Sequence, residues 1–405
     1  MPMSANELHL ALLQLQELAA LYGKDSAIVR AAQNFHFKRR ACKKAVRLFL
    51  RRLFKKPAVK PQDRLKLLVH VRGGIGDVAM TRVFVARLRE KFSTAQIYVC
   101  YDSQSVVEMI FSDGLIDGFV SRKYDPRDYD LVMSGCHTFY FDYVDLPRLQ
   151  KLAPEWMSDF AQARALQERM KIITQNTPHL DGLWAKISVA YGSSRIANMG
   201  LTAGVPVGQN DRAPIQLSLE NLQSVLQRLG LQGKKYITIH DGTNTNTDLH
   251  GRPATRCWPK EHWQEFARLF KQTFPGILLV QLGGSNSTVF DFADISLVGK
   301  TRVADLPYVL QEARLHVDSE SGMTQLANLT DTQAVVLFGP TPVEYFGYAR
   351  NVNLRAGDCH NCMNIVKDWM SRCPLFERNE CLWKITPQQV CDAVKKCLQT
   401  ARQDI

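Results

Sequence analysis

No stretch of the 405 residues approaches the 18 or more consecutive apolar positions of a membrane-crossing helix, and the chain opens without the charged-then-apolar pattern of a secretory signal. A cytoplasmic location is expected. Ten cysteines in a chain of this kind argue against a disulfide framework and direct attention to thiolates as metal ligands. The dinucleotide fingerprint is incomplete, because Gly74-x-Gly76 is followed three residues later by Ala79 rather than a third glycine. No aromatic platform accompanies the basic residues or the cysteines, so nucleic acid is not an expected partner. What remains is a chain with 45% hydrophobic and 22% charged residues, able to bury a substantial core. Its net charge of +12 implies attraction to something anionic.

The stretch around which the rest is organised is Leu65-Lys-Leu-Leu-Val-His-Val71, a short apolar run, followed by Arg72-Gly-Gly-Ile-Gly-Asp77 and then Val78, Thr81, Val85 and Leu88 at helical spacing. The change of period predicts a buried parallel strand handing over to a helix across a glycine-rich turn. Asp77 stands where that helix begins. A carboxylate there can cap the helix, contributing roughly 1 kcal/mol. It can equally serve as a general base at the mouth of an α/β sheet, where open sheets bind ligands.

Residues 1–61 read as a helical appendage and linker. Leu8, Leu12, Leu15, Leu18 and Leu21 repeat at three and four residues, and a second helix carries Lys38-Arg-Arg40, Lys43-Lys44, Arg47, Arg51-Arg52 and Lys55-Lys56 among aromatic and aliphatic side chains. A basic amphipathic helix of this kind suits an anionic membrane surface, a neighbouring subunit or the body of the protein. Residues 62–212 alternate short apolar strands (Ala95–Cys100, Asp117–Val120, Tyr129–Met133) with helices, the signature of a doubly wound parallel sheet. From Gly135 to about Gly208 the chain is aromatic and polar, and His137, His179 and Tyr140-Phe141 are candidate substrate contacts or structural residues.

A second α/β unit is expected over residues 213–355. It opens with Tyr236-Ile-Thr-Ile-His240 and a loop dense in hydroxyl and amide groups, including Thr243 and Thr245, then Arg252 and Arg256. Donors with guanidinium groups at a strand end suit a diphosphate. Further strands end at Gly283-Gly284 and at Asp318, after which Ser319-Glu-Ser-Gly-Met323 repeats the strand, turn and helix design of the opening. Two such units imply a cleft between them. In residues 356–405 the spacing Cys359-x2-Cys362-x10-Cys373-x7-Cys381 is that of metal ligands, zinc or iron, in a structural site with no open coordination position.

The motifs, in this order, resemble the ADP-heptose glycosyltransferases of glycosyltransferase family nine, including the lipopolysaccharide-core and autotransporter heptosyltransferases. The likeness rests on Leu67-Leu-Val-His-Val-Arg-Gly-Gly-Ile-Gly-Asp-Val-Ala-Met-Thr81, Arg256-Cys-Trp-Pro259, Leu282-Gly-Gly284 with Leu297-Val-Gly-Lys300, Ser321-Gly-Met-Thr-Gln-Leu-Ala327, Val336-Leu-Phe-Gly-Pro-Thr341, and the tail with Cys373-Pro-Leu, Cys381 and Ile385-Thr-Pro. The resemblance implies a GT-B fold, two Rossmann-like domains facing a cleft. It implies inverting transfer of heptose from ADP-heptose to the lipopolysaccharide core at the cytoplasmic face of the inner membrane, or to Ser/Thr of an autotransporter adhesin, where the appendage would serve oligomerisation. Asp77 matches the catalytic base. Thr243, Thr245 and Arg256 match the diphosphate region, joined by Gly283, Asp318, Glu320, Ser321, Gly322 and Met323 in donor binding. No catalytic metal is implied. Arg256 replaces the family's usual Lys, Glu320 its Asp and Gln325 its His, which points to a related nucleotide sugar as the other donor class.

Overall fold

The opening run forms the strand Lys66–Val71 (β1), and the period shift after it becomes the helix Ile75–Lys91 (α1). The computed structural model describes residues 57–174, 181–242, 254–356, 361–363, 369–375 and 380–400. The helical appendage expected over residues 1–56 lies outside the described residues. The chain divides between Asp211 and Arg212 into two units.

In the first unit β1 pairs in parallel with β2 (Gln96–Cys100) and β4 (Leu131–Gly135), β3 (Gly118–Val120) extends β2, β5 (Phe139–Val144) flanks β4, and the order is β3-β2-β1-β4-β5. Leu67, Leu68, Val69 and Val71 of β1 are buried, as are Val78, Val83, Phe84, Val85 and Leu88 of α1. Each such side chain contributes roughly 1.5–3 kcal/mol on burial, so helix and sheet fix each other. The linker read at Pro57–Pro61 is irregular chain tied to this sheet, with Lys60 Nζ 3.0 Å from Asp130 and 2.5 Å from Asp145.

The fifth strand corrects the all-parallel expectation. Phe139–Val144 (β5) pairs antiparallel with β4 across the tight turn Gly135–Thr138. A Cβ on Gly135 would fall within 3 Å of the Thr138 backbone, so only glycine closes this hairpin. Its tip is braced by the helix Arg195–Ala203 (α4): Asn198 Nδ2 donates to the His137 carbonyl at 2.7 Å, and the Phe139 N–H donates to Thr202 Oγ1 at 3.1 Å. Tyr140-Phe141, read as substrate contacts or structural residues, belong to this strand, and Phe141 stacks on Phe160 of the helix Met157–Thr174 (α3) at 4.9 Å. The helix Gln104–Ile110 (α2) completes the elements packed on α1. His179 lies outside the described residues.

The second unit is a six-stranded parallel sheet, ordered β11-β10-β9-β6-β7-β8, from Tyr236–Ile239 (β6), Leu278–Gln281 (β7), Ile295–Ser296 (β8), His316–Ser319 (β9), Ala334–Phe338 (β10) and Val352–Arg355 (β11). Trp263, Phe266 and Phe270 of the helix Lys260–Thr273 (α5) and Val390 and Val394 of Pro387–Thr400 (α7) cover one face of it. Pro259 stands at the N-cap of α5, where its missing N–H leaves no helical bond unmade. Among the described residues no helix is long and apolar enough to cross a membrane.

Candidate active site

In the first unit the turn after β1 lifts Gly73 to φ +107° and starts α1 so that Asp77 falls in its first turn. The Gly74 N–H donates to Asp77 Oδ2 at 2.5 Å, the capping contact expected of a carboxylate here. The other oxygen, Oδ1, accepts from Arg195 Nη2. The Asp77 side chain is 19% exposed and that of Arg195 is 5% exposed, so the carboxylate reaches solvent while its cationic partner does not. Arg195 also donates to the Cys136 carbonyl at 2.8 Å, which ties the hairpin tip to the start of α4. Burial and the Arg195 charge hold the His137 imidazole well below its ordinary value, so it is neutral at physiological pH. Burial and the Asp77 charge raise the Tyr101 phenol, whose hydroxyl lies 3.4 Å from the Gly73 carbonyl.

Asp77, Cys136 and His137 each bring a ligand atom within 4.8 Å of the others, the one such group of three among the described residues. The donor types suit a soft divalent ion. Arg195 already holds Asp77, so a cation entering there would meet the guanidinium charge.

In the second unit the carboxyl ends of β6, β9 and β10 gather the expected donor residues. Arg256 is fixed from both sides: the Thr255 N–H donates to the Met370 carbonyl at 2.7 Å, and Trp258 Nε1 donates to the Ile385 carbonyl at 2.9 Å. Its Nη2 donates to Glu320 Oε2 at 2.9 Å and also to the Glu320 carbonyl. Gly242, at φ +87°, lets the chain after β6 pass between Ser319 and the Arg256 carbonyl. A Cβ there would lie 2.5 Å from Ser319 Cβ and 2.8 Å from the Arg256 carbonyl oxygen. Gly242→Ala is therefore expected to lower stability by about 1–3 kcal/mol, read as a drop in Tm of several degrees.

Asp318 is fully buried. Its Oδ1 lies 3.0 Å from His240 Nδ1, and its Oδ2 lies 3.3 Å from His316 Nε2 and accepts from the Ser321 and Thr324 hydroxyls. Of the two carboxylates read as donor contacts, Asp318 faces inward to this network and Glu320 faces Arg256. Ser321 Oγ accepts from the Met323 N–H at 3.1 Å and so caps the six-residue helix Gly322–Ala327 (α6). Gly283 follows β7 and meets Ser287. Thr243 and Thr245 lie outside the described residues.

Around this edge sit buried polar atoms with no hydrogen-bond partner among the described residues: Arg256 Nε, Ser319 Oγ, Gln325 Nε2 and Thr341 Oγ1. Most buried polar atoms in folded proteins are satisfied, so these four are free to meet a polar group from outside the described residues. Gln325 is turned by the Tyr348 hydroxyl, which donates to its Oε1.

The expected four-cysteine centre falls only partly within the described residues. Cys359 lies outside them, and Cys362, Cys373 and Cys381 do not bring their sulfurs within 4.8 Å of one another. A tetrahedral zinc site needs sulfurs about 3.8 Å apart. Cys381 Sγ instead packs beside Gly339 at the end of β10.

Two Rossmann-like units, each with charged residues at the carboxyl ends of parallel strands, give this chain the α/β fold of the GT-B heptosyltransferase structures. Residues 201–368 match the family described as Glycosyltransferase family 9 (heptosyltransferase), so this stretch is a domain of that family. Among solved structures, the ADP-heptose lipopolysaccharide heptosyltransferase II of E. coli superposes with TM-score 0.54 at 14% identity, covering 84% of this chain and 100% of that one. The dodecameric iron-containing heptosyltransferase TibC of enterotoxigenic E. coli, in complex with ADP-D-β-D-heptose, gives 0.55 at 15% identity, covering 85% and 78%. A family 9 glycosyl transferase of Veillonella parvula gives 0.50 at 15%, covering 84% and 98%. At these identities the structural likeness is one of fold. No match was found among curated protein sequences.

Proposed function

We propose that this protein transfers heptose, with inversion, from ADP-heptose to a hydroxyl of the lipopolysaccharide core. The observation that carries the reading is the edge of the family 9 domain, where Arg256 and Glu320 stand among buried polar atoms that lack partners among the described residues. Asp77 takes the proton of the acceptor hydroxyl as its oxygen bonds to C1 of the donor. The bond from C1 to the β-phosphate oxygen breaks on the opposite face, and ADP leaves with the electron pair. Arg256 offers the guanidinium that offsets the charge growing on the diphosphate. Thr243, Thr245, Gly283, Ser321, Gly322 and Met323 are assigned to donor binding with it, and Asp318 acts by holding His240 and Ser321 rather than by touching the sugar.

A protein hydroxyl is the second acceptor reading, favoured by the cysteine spacing in the tail. Deacylated core oligosaccharide and an adhesin passenger protein, offered side by side, separate the two acceptors. The donor is tested by calorimetric titration with ADP-heptose, ADP and UDP-sugars. Binding of ADP-heptose and ADP is expected, whereas binding of a UDP-sugar alone would leave the fold assignment standing and end the heptose assignment, with Glu320 and Gln325 marking the altered donor site.

A further inference from the structure

We propose that Arg195 is the positioning residue of the Asp77 carboxylate, reaching it from a part of the first unit 118 residues later in the chain. The inference rests on the reading of Asp77 as the base. Arg195 is the first residue of α4, whose N-cap Ser194 accepts from the Ala197 N–H at 3.4 Å, so its backbone is set by a helix start. Its guanidinium is then locked by two bonds to one carbonyl, Nη2 at 2.8 Å and Nε at 3.3 Å from Cys136 O. From that fixed fork Nη2 also donates to Asp77 Oδ1 while the Gly74 N–H holds Oδ2.

A carboxylate offers about four lone-pair sites. One donor on each oxygen fixes the plane of the group and leaves each oxygen a further site for a proton. Had the side chain only a capping role, the Gly74 contact would suffice. Fold stability does not explain Arg195 either, because a covered ion pair is generally worth no more than apolar side chains of the same volume. Orientation does explain it, since a base must present a lone pair within hydrogen-bond reach of the hydroxyl it deprotonates. A lysine could supply the charge but not the planar fork that binds carbonyl and carboxylate together.

The test compares kcat and donor KM for the full-length protein and for Arg195→Gln, Arg195→Lys, Arg195→Ala, Asp77→Asn and the double variant Asp77→Asn/Arg195→Gln, with Tm recorded for each. Arg195→Gln is expected to lower kcat tenfold or more with donor KM unchanged, Arg195→Lys to regain part of the loss, and millimolar guanidinium to restore turnover to Arg195→Ala. In the Asp77→Asn background, Arg195→Gln is expected to lower kcat no further. Multiplying losses, or a KM that rises in step with the fall in kcat, would overturn the positioning role and leave a structural one. Asp77→Asn with full turnover would end the base assignment instead. Loss in Asp77→Asn beside wild-type kcat in Arg195→Gln would end the positioning role alone.

Discussion

Asp77→Asn is expected to reduce kcat for transfer by about 10²- to 10⁴-fold, the range a positioned general base contributes. Asparagine keeps the shape of the side chain, and its carbonyl oxygen can still accept the Gly74 N–H that Oδ2 accepts now. What disappears is the group that can take a proton. The substitution also leaves Arg195, whose side chain is only 5% exposed, without this anion. Removing one partner of a covered pair costs about 3–5 kcal/mol in a dry interior. The 19% exposure of Asp77 lets water share that burden, so a measurable fall in Tm with retained folding is expected. Donor binding by calorimetry should be unchanged, since the donor residues belong to the second unit. Turnover within a few fold of wild type, in protein shown to be folded, would remove Asp77 from the chemistry.

The part of this site that could be read in the sequence is the part that is local. The run from Leu65 to Leu88 announces strand, turn and helix because its apolar period changes from a continuous stretch to helical spacing across three glycines, and the structure has β1 and α1 there. The same logic found the strands ending near His240 and Asp318. Arg195 was hidden because its meaning is a contact with a residue 118 positions away, and nothing in its neighbourhood distinguishes it from a surface arginine. A partial signal existed: Ser194 as an N-cap and Gly204, at φ +66°, as a stop bracket α4 and set Arg195 at its first position.

The strand β5 escaped for a different reason. Phe139-Tyr-Phe-Asp-Tyr-Val144 has the aromatic and β-branched content of a strand, but its apolar residues do not alternate cleanly with polar ones. Only the closeness of Gly135 to the Thr138 carbonyl shows that the chain turns back on itself there. Asp318 and Glu320, two residues apart on a strand end, face different partners, which a motif reading treats as one acidic position.

That separation of roles carries the second large expected effect. Asp318→Ala removes the acceptor of His240, His316, Ser321 and Thr324 at a fully buried position and should cost about 3–5 kcal/mol, a large share of the roughly 5–15 kcal/mol that holds a domain together. Asp318→Asn, which keeps the volume, should lose less, and its dependence on pH identifies the cause. Burial pushes the Asp318 carboxyl up, but the His240 charge and hydrogen bond outweigh it and bring the group down to about 2 from an ordinary 3.8. Burial pushes His240 down, but Asp318, and then Asp241, outweigh that and raise it above its ordinary 6.5. A depressed carboxylate contributes stability above its unfolded value, lost as pH falls through its folded value. A raised imidazole contributes below 6.5 and loses its share as pH rises through the folded value. The Tm gap between wild type and Asp318→Asn should therefore be widest between about pH 4 and 6.5, narrowing toward pH 2 and again as pH rises through the folded value of His240. A gap that stays constant from pH 3 to 9 would mean that Asp318 supports the β9 end through uncharged hydrogen bonds alone. The pair with His240 would then have no part in holding Ser321 and the Arg256–Glu320 edge in place.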